Sequence, residues 1–459
     1  MIEYIPLFMF LAACLVLMLG YPVALSLAGT ALIFAAGGIL SGDFNPNHLS
    51  AFSDRLYGIM TNSTLIAVPL FILMGVMLQK SKIAEELLES MAQLCRRLPS
   101  GLGVSVVLVG MLLAASTGIV GATVVTMGLM SLPTMLKRGY PPSLAAGTIC
   151  ATGTLGQIIP PSIALVLLGD TLSNAYQQAQ LKLGIFNPQP VSVGDLFVGA
   201  IVPGLLLVGM YIAYLLLRAW RDPSLLGAVN SAMNTNVEPT PKYKTSTSLM
   251  PPLLLITLVL GSIIAGAASP TEAAGVGALG ATLLALIKRQ LNRKKLAEIS
   301  QTTAQVTSMV FTILIGASLF SLVFIGYGGD TLVEELFSQL PGGVFGATVM
   351  VMVVIFLLGF ILDFIEITFV VVPIVGPILL GMGLDPVWLG IMIALNLQTS
   401  FLTPPFGFAL FYFRGVAPPD SVSTRDIYLG VVPFIAIQLL LLIALAIWPE
   451  LVTWLPSIL

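Results

Sequence analysis

Long apolar runs alternate along this chain with short polar interruptions. About twenty apolar residues cross the hydrocarbon of a bilayer. Runs of that size predict helices near 4–20, 22–40, 59–79, 143–169 and 195–218, and again near 248–268, 271–288, 303–327, 386–413 and 428–448. Two stretches, about 100–136 and 342–381, are too long for one crossing and carry Gly and polar residues near their middles. Each predicts a re-entrant hairpin that leaves by the face it entered. Two runs also break internally, at Gly153-Thr-Leu-Gly-Gln-Ile-Ile-Pro-Pro-Ser162 and Ser400-Phe-Leu-Thr-Pro-Pro-Phe-Gly407. Paired prolines remove two backbone donors and clash with the preceding turn. The carbonyls of Gly156 and Gln157 thereby lose their helical partners. In lipid such groups need another partner, so broken backbone is expected only inside protein or beside a cavity.

The pattern repeats. Pro133, Gly139, Pro142, Pro160 and Pro161 match Pro377, Gly383, Pro386, Pro404 and Pro405, each 244 positions later. Pro22 and Gly29 match Pro270 and Gly277, and Asp195 and Gly199 match Asp426 and Gly430. A colinear series of this kind marks a duplicated unit. The expected organisation is a first half over 1–220 with its hairpin at about 100–136, a linker over 221–247 rich in Asn, Pro, Ser and Thr, and a second half over 248–459 with its hairpin at about 342–381. Each half makes five crossings, an odd number, so the second is inserted upside down. The expected fold class is an all-α polytopic membrane protein with an inverted-topology repeat. Residues 82–98 and 331–340 are amphipathic and predict interfacial helices leading into each hairpin.

Charge supports that topology. When the faces alternate and each hairpin returns to its own side, all 19 basic residues except Arg55 and Lys182 fall on one face. The positive-inside rule makes that face cytoplasmic, which places both termini outside. Composition agrees with a membrane chain: 57% hydrophobic and 9% charged, against about 25% charged in soluble domains. Nucleic-acid binding is not expected, because no basic run lies in a soluble segment. Three cysteines set no disulfide framework. Leu11-Ala-Ala-Cys14 has the look of a lipoprotein box but lacks a basic residue before it, and reads as part of a retained helix. Hydrolytic chemistry is also not expected. No Walker A loop, His-Glu-x-x-His or Gly-x-Ser-x-Gly occurs, and the chain has a single His.

Candidate chemistry clusters where helices break. Around the first hairpin turn lie Ser116, Thr117, Gly118, Gly121 and Thr123. Opposite them come Thr152, Gly153, Thr154, Gly156 and Gln157. Hydroxyl and carbonyl oxygens together suit a dehydrated hard cation; small polar residues at tight helix contacts are the other reading. In the second half Asn396, Gln398, Thr399, Ser400 and Thr403 face a turn placed near 359–368, from Gly359 onward. Asp363 and Glu366 are the acids placed deep in the membrane, at a cost of roughly 2.5–3.5 kcal/mol each. Asp363-x-x-Glu366 fits both a capping box and direct contact with an ion or substrate. Helix N-termini at the hairpin tips could hold a carboxylate without a buried Arg.

Gly153–Ser162, Gly359-Phe-Ile-Leu-Asp363 and Leu402-Thr-Pro-Pro-Phe-Gly407-Phe resemble the signatures of the large membrane subunit of tripartite ATP-independent periplasmic (TRAP) transporters, and the resemblance covers nearly the whole chain. It implies a Na⁺-driven importer of organic acids in a bacterial or archaeal inner membrane. A periplasmic binding protein would deliver substrate, and a separate small four-helix membrane subunit would pack alongside. The resemblance also implies an elevator movement of hairpins and broken helices against a scaffold. Its Na⁺ sites would map to Ser116, Thr117, Gly118 and Gly121 with Thr152, Gly153 and Gly156, and to Gly359 and Asp363 with Gln398, Thr399 and Thr403. Thr123, Thr154, Gln157, Glu366, Asn396 and Ser400 are left as substrate candidates. The Asp363-x-x-Glu366 pair also resembles a subgroup associated with 2-oxo acids, lactate or mannitol/chloroaromatic compounds. Two other readings stay open: a stand-alone ion-coupled carrier of the same superfamily, and an intramembrane aspartyl protease using Asp363, for which no partner Asp is evident.

Overall fold

The computed structural model describes residues 2–81, 83–95, 98, 100–222 and 245–459. Lys82, Arg96, Arg97, Lys242 and Lys244 lie outside the described residues, as does the expected linker except at its two ends. The side chains of Ser116 and Thr117 are likewise outside them. Every extended element among the described residues is helical. The first half runs α1 (Ile5–Met18), α2 (Val23–Ser41), α3 (Ala51–Thr61), α4 (Ala67–Lys80), α5 (Ile83–Leu94), α6 (Gly101–Thr117), α7 (Val120–Lys137), α8 (Pro142–Thr154), α9 (Ile163–Lys182) and α10 (Val193–Arg221). The second runs α11 (Thr245–Ile264), α12 (Pro270–Ile287), α13 (Arg293–Gly326), α14 (Gly329–Ser338), α15 (Gly343–Leu358), α16 (Phe364–Gly381), α17 (Pro386–Leu402), α18 (Phe408–Val416), α19 (Thr424–Ile447) and α20 (Glu450–Ile458).

Among the described residues, seven helices are long and apolar enough to cross a membrane by length and composition, or eight if a bent pair counts as one span. Of the shorter apolar helices, α6 and α15 are arms of hairpins and α17 is a piece of a broken span. A helix–turn–helix pair occupies each stretch expected to be a hairpin. α6 turns into α7 at Gly118, whose φ of 60° lies in the left-handed region that Gly adopts without strain. α15 turns into α16 through 359–363. Both broken spans form too, α8 with α9 and α17 with α18, and the Pro160-Pro161 and Pro404-Pro405 peptide bonds are cis.

Several elements differ from the sequence reading. The helix expected near 59–79 is the bent pair α3–α4, whose axes differ by 55°. The cause is Asn62: its backbone is extended and its side chain accepts from Thr64 N at 2.9 Å, an Asx turn that ends α3. The segment expected to end at 169 continues as α9 to Lys182. Asp170 is therefore a third acid inside a span, and it accepts from Asn62 Nδ2 at 2.9 Å. α13 begins ten residues earlier than expected, at Arg293, where Asn292 caps it by accepting from Lys295 N. α20 was not expected.

The two halves pack reciprocally. The second arm of each hairpin lies on the far piece of the opposite half's broken span, α7 on α18 and α16 on α9. Away from the hairpins, α2 packs on α13 and α4 on α12. Gly147 of α8 meets Gly430 of α19 so closely that a Cβ at Gly147 would overlap the Gly430 carbonyl, and one at Gly430 the Ser143 carbonyl. Absence of side chains is what lets membrane helices come this near. The equivalent crossing sets Gly199 of α10 against Val387 of α17. α10 and α19 even share a start: Ser192 with Asp195, and Ser423 with Asp426, form matching capping boxes.

Candidate functional site

A cavity of about 100 Å³ lies where the hairpins and broken spans meet. Four helices begin at its wall: α7 at Val120, α9 at Ile163, α16 at Phe364 and α18 at Phe408, and each of these residues lines it. Ile72 of α4 and Val306, Met309 and Val310 of α13 close the other side. The cavity therefore sits between the hairpin and broken-span elements and the α2–α4/α12–α13 layer. Helix N-termini carry unpaired N–H groups and partial positive charge. Three of these starts, α7, α9 and α18, lack a side-chain cap and can attract an anion without any basic side chain, and no Lys, Arg or His is among the lining residues.

The breaks themselves are made from the sequence upward. Gly156 and Gln157 lose their helical donors to the prolines, and the Ser162 hydroxyl replaces them. Its single hydrogen goes mainly to Gly156 O at 2.6 Å, with Gln157 O at 3.3 Å as the weaker branch of a shared bond. Ser162 is thus spent on the carbonyls and gives α9 no side-chain cap, although it stands in the cap position. α7 and α18 also lack a side-chain cap. α16 differs: Asp363 accepts from Phe364 N at 2.7 Å and Glu366 accepts from Asp363 N at 3.0 Å, a closed capping box. One turn further on, residues Ile367–Val371 widen into a π-turn just before Pro373, and the Thr368 hydroxyl there is buried without a partner. Such bulges follow from a missing donor in the helix ladder.

Of the residues singled out in the sequence, Gly118, Gly121, Gln157 and Asp363 line the cavity together. Thr123 is buried in the first turn of α7, its hydroxyl on Ile119 O. Thr152, Gly153, Thr154 and Gly156 form a second layer behind α6 and α7, Gly153 against Val124 and Gly156 against Ala114. The hydroxyls of Thr152, Thr154, Thr399 and Thr403 each donate to a carbonyl of their own helix. A hydroxyl that has donated its hydrogen keeps oxygen lone pairs for a cation. Glu366 is buried behind Asp363. Gly359 ends α15 against Ser400. Asn396 and Ser400 turn away from the cavity: Asn396 Nδ2 donates to Met352 O and Ser400 Oγ to Phe356 O, both at 2.7 Å, pinning α15 to α17 one helical turn apart. Gln398 Nε2 donates to Thr154 Oγ1 at 3.3 Å, so two residues 244 positions apart, equivalent in the repeat, touch each other.

Sequence reasoning missed Tyr412, which lines the cavity one turn into α18 with its ring on Gly121. Nothing distinguished it from its apolar neighbours except its phenol. Ser162 was quoted in the motif without a role, and Asp170 fell one residue beyond the assigned span.

The family model for the tripartite ATP-independent periplasmic transporter, DctM component, matches residues 8–451. The C4-dicarboxylate TRAP transporter large permease protein DctM of Pseudomonas aeruginosa is 28% identical over 418 residues, covering 90% of this chain and 91% of that one. The sialic acid TRAP transporter large permease protein SiaM of Vibrio cholerae is 26% identical over 443 residues, covering 96% and 95%. The isethionate TRAP transporter permease protein DctMQ of Oleidesulfovibrio alaskensis is 28% identical over 447 residues; 94% of this chain aligns to 63% of that longer one. The YdaH transporter of Alcanivorax borkumensis, 15% identical, superposes with a TM-score of 0.62 over 96% of this chain and 98% of that one, a likeness of fold alone. The chain is a multi-pass transport permease rather than an enzyme, and it belongs to the TRAP transporter family as a large permease (DctM) component.

Proposed function

We propose that this permease imports an organic acid by coupling it to Na⁺, as an elevator. The observation that carries the reading is the convergence of four helix N-termini on one cavity between the hairpin and broken-span elements and a flat layer of helices. The uncapped N-termini supply attraction for a carboxylate, and a bound cation compensates the rest of its charge. The donor set fits Na⁺: it is hydroxyl and carbonyl oxygen, with Gly156 O and the hydroxyls of Thr152 and Thr399 retaining free lone pairs. One site falls between Ser116–Gly121 and Thr152–Gly156, the other between Gly359–Asp363 and Gln398–Thr403. Hairpins and broken spans move as one body past α4 and α13, carrying the cavity between the two sides.

The chain sits in the inner membrane of its cell with both termini periplasmic. It pairs with a separate small membrane subunit and receives substrate from a periplasmic binding protein; the fused DctMQ name of a relative supports the first pairing. The test is uptake by proteoliposomes under an imposed Na⁺ gradient. Uptake should require Na⁺ outside and added binding protein. Ser116→Ala and Thr399→Ala should each shift Na⁺ activation to higher concentration. Gradient-independent uptake would sink the coupling, and full uptake without binding protein would favour a stand-alone carrier.

A further inference from the structure

The cavity is chemically lopsided, and the lopsidedness points to a substrate class. Gln157 is 1% exposed and lines the cavity, yet neither its Oε1 nor its Nε2 has a partner in the protein. Leaving buried donors and acceptors unmade costs about 1–3 kcal/mol per group. A side chain kept in that condition at a cavity wall is one that bonds to what enters. The helix starts around it are unequal as well. α7, α9 and α18 present uncapped N-termini, while that of α16 alone is already closed by Asp363 and Glu366. One side of the cavity thus attracts a carboxylate and the other places acids.

A ligand that satisfies both sides has one carboxylate for the uncapped starts, and beside it a group that accepts from Gln157 Nε2 and donates toward an acceptor. A hydroxyl does both; a second carboxylate would stand beside Asp363 and Glu366 with no basic side chain among the lining residues to offset it. Size limits the ligand. A cavity of about 150 Å³ holds the six non-hydrogen atoms of benzene, so about 100 Å³ scales to about four and favours the shortest acids. We propose that this cavity takes a short 2-hydroxy monocarboxylate and that Gln157 is the residue selecting its hydroxyl. The proposal rests on the cavity being the substrate site.

The test is thermal unfolding of the full-length chain, co-purified with its small membrane subunit, titrated in Na⁺ with lactate, propionate or succinate. Lactate should bind at least about tenfold more tightly than propionate, the loss expected when a buried polar site meets an analogue lacking its partner. Gln157→Leu should bring lactate down to propionate while leaving stabilisation by Na⁺ alone unchanged. Succinate binding tightest, with Na⁺ dependence intact, would overturn the substrate class and leave the transport reading standing. Stabilisation by no carboxylate at all would overturn both. An unchanged lactate preference in Gln157→Leu would mean that the amide serves an internal water instead. Should that variant fail to fold, the wild-type ranking of the three acids decides.

Discussion

Lys288 stands just past the end of α12 and pairs with Glu86 of α5, the helix that leads into the first hairpin. The side chains are only 18% and 7% exposed. Two contacting charges near a protein surface attract by about 4 kcal/mol at an effective dielectric of about 20, much of which repays their desolvation. Removing one partner of a buried pair costs about 3–5 kcal/mol, because the other charge is left behind. The two sides are not equal. Lys288→Met strands a nearly inaccessible carboxylate and should cost about 3 kcal/mol. Glu86→Gln strands an ammonium that can reach water along its flexible stem, where the α12 C-terminus also favours it; about half that loss is expected. The double variant should recover about 1–2 kcal/mol relative to the sum of the singles. Denaturant titration of the purified protein measures all three. Strictly additive losses would refute the ion-pair argument. Because the pair ties the hairpin's leading arm to a different layer of the fold, Lys288→Met should also slow transport more than it weakens substrate binding.

Asp363→Asn keeps the cap on Phe364 N, so it should unfold within about 0.5 kcal/mol of wild type, whereas Asp363→Ala should lose about 1 kcal/mol; equal losses in thermal melts would refute a capping role. Ser400→Ala strands the Phe356 carbonyl at the end of α15 and should cost about 1–3 kcal/mol, whereas Asn396→Ala removes only a second donor from Met352 O and should cost about 1 kcal/mol; faster hydrogen exchange at the end of α15 is the local signature of the first. Gly147→Ala drives a methyl into the Gly430 carbonyl, and about 1–3 kcal/mol of overpacking should appear as lower thermal stability; a neutral result would mean that α8 and α19 can separate freely.

Much of the architecture was legible because the bilayer writes it into the chain. Apolar run lengths gave the crossings, and the constant spacing of prolines and glycines marked the repeat. The hairpins were readable because their apolar stretches exceed one span. What escaped depended on three-dimensional partners. Asn62 ends α3 through its own side chain and then finds Asp170, a contact no local pattern announces. Ser162 could be seen to stand before a helix, where a serine ordinarily caps. Only the folded break shows its hydroxyl turned to the freed carbonyls instead. The acids at 363 and 366 were open between capping and contact with an ion or substrate; the structure has them closing a capping box while Asp363 also faces the cavity.

The contact between Thr154 and Gln398 carries one more implication. If both halves had the same sequence, exchanging their roles would map the molecule onto itself, and any two states related by that exchange would have equal energy. An element and its own copy become neighbours only on the axis of that exchange, so this contact is where the symmetry is most directly tested. Here the pair is a threonine against a glutamine, and Gln398 Oε1 is left without a partner. The two copies are therefore unequal where they touch, so a conformation and its exchanged counterpart need not have equal energy.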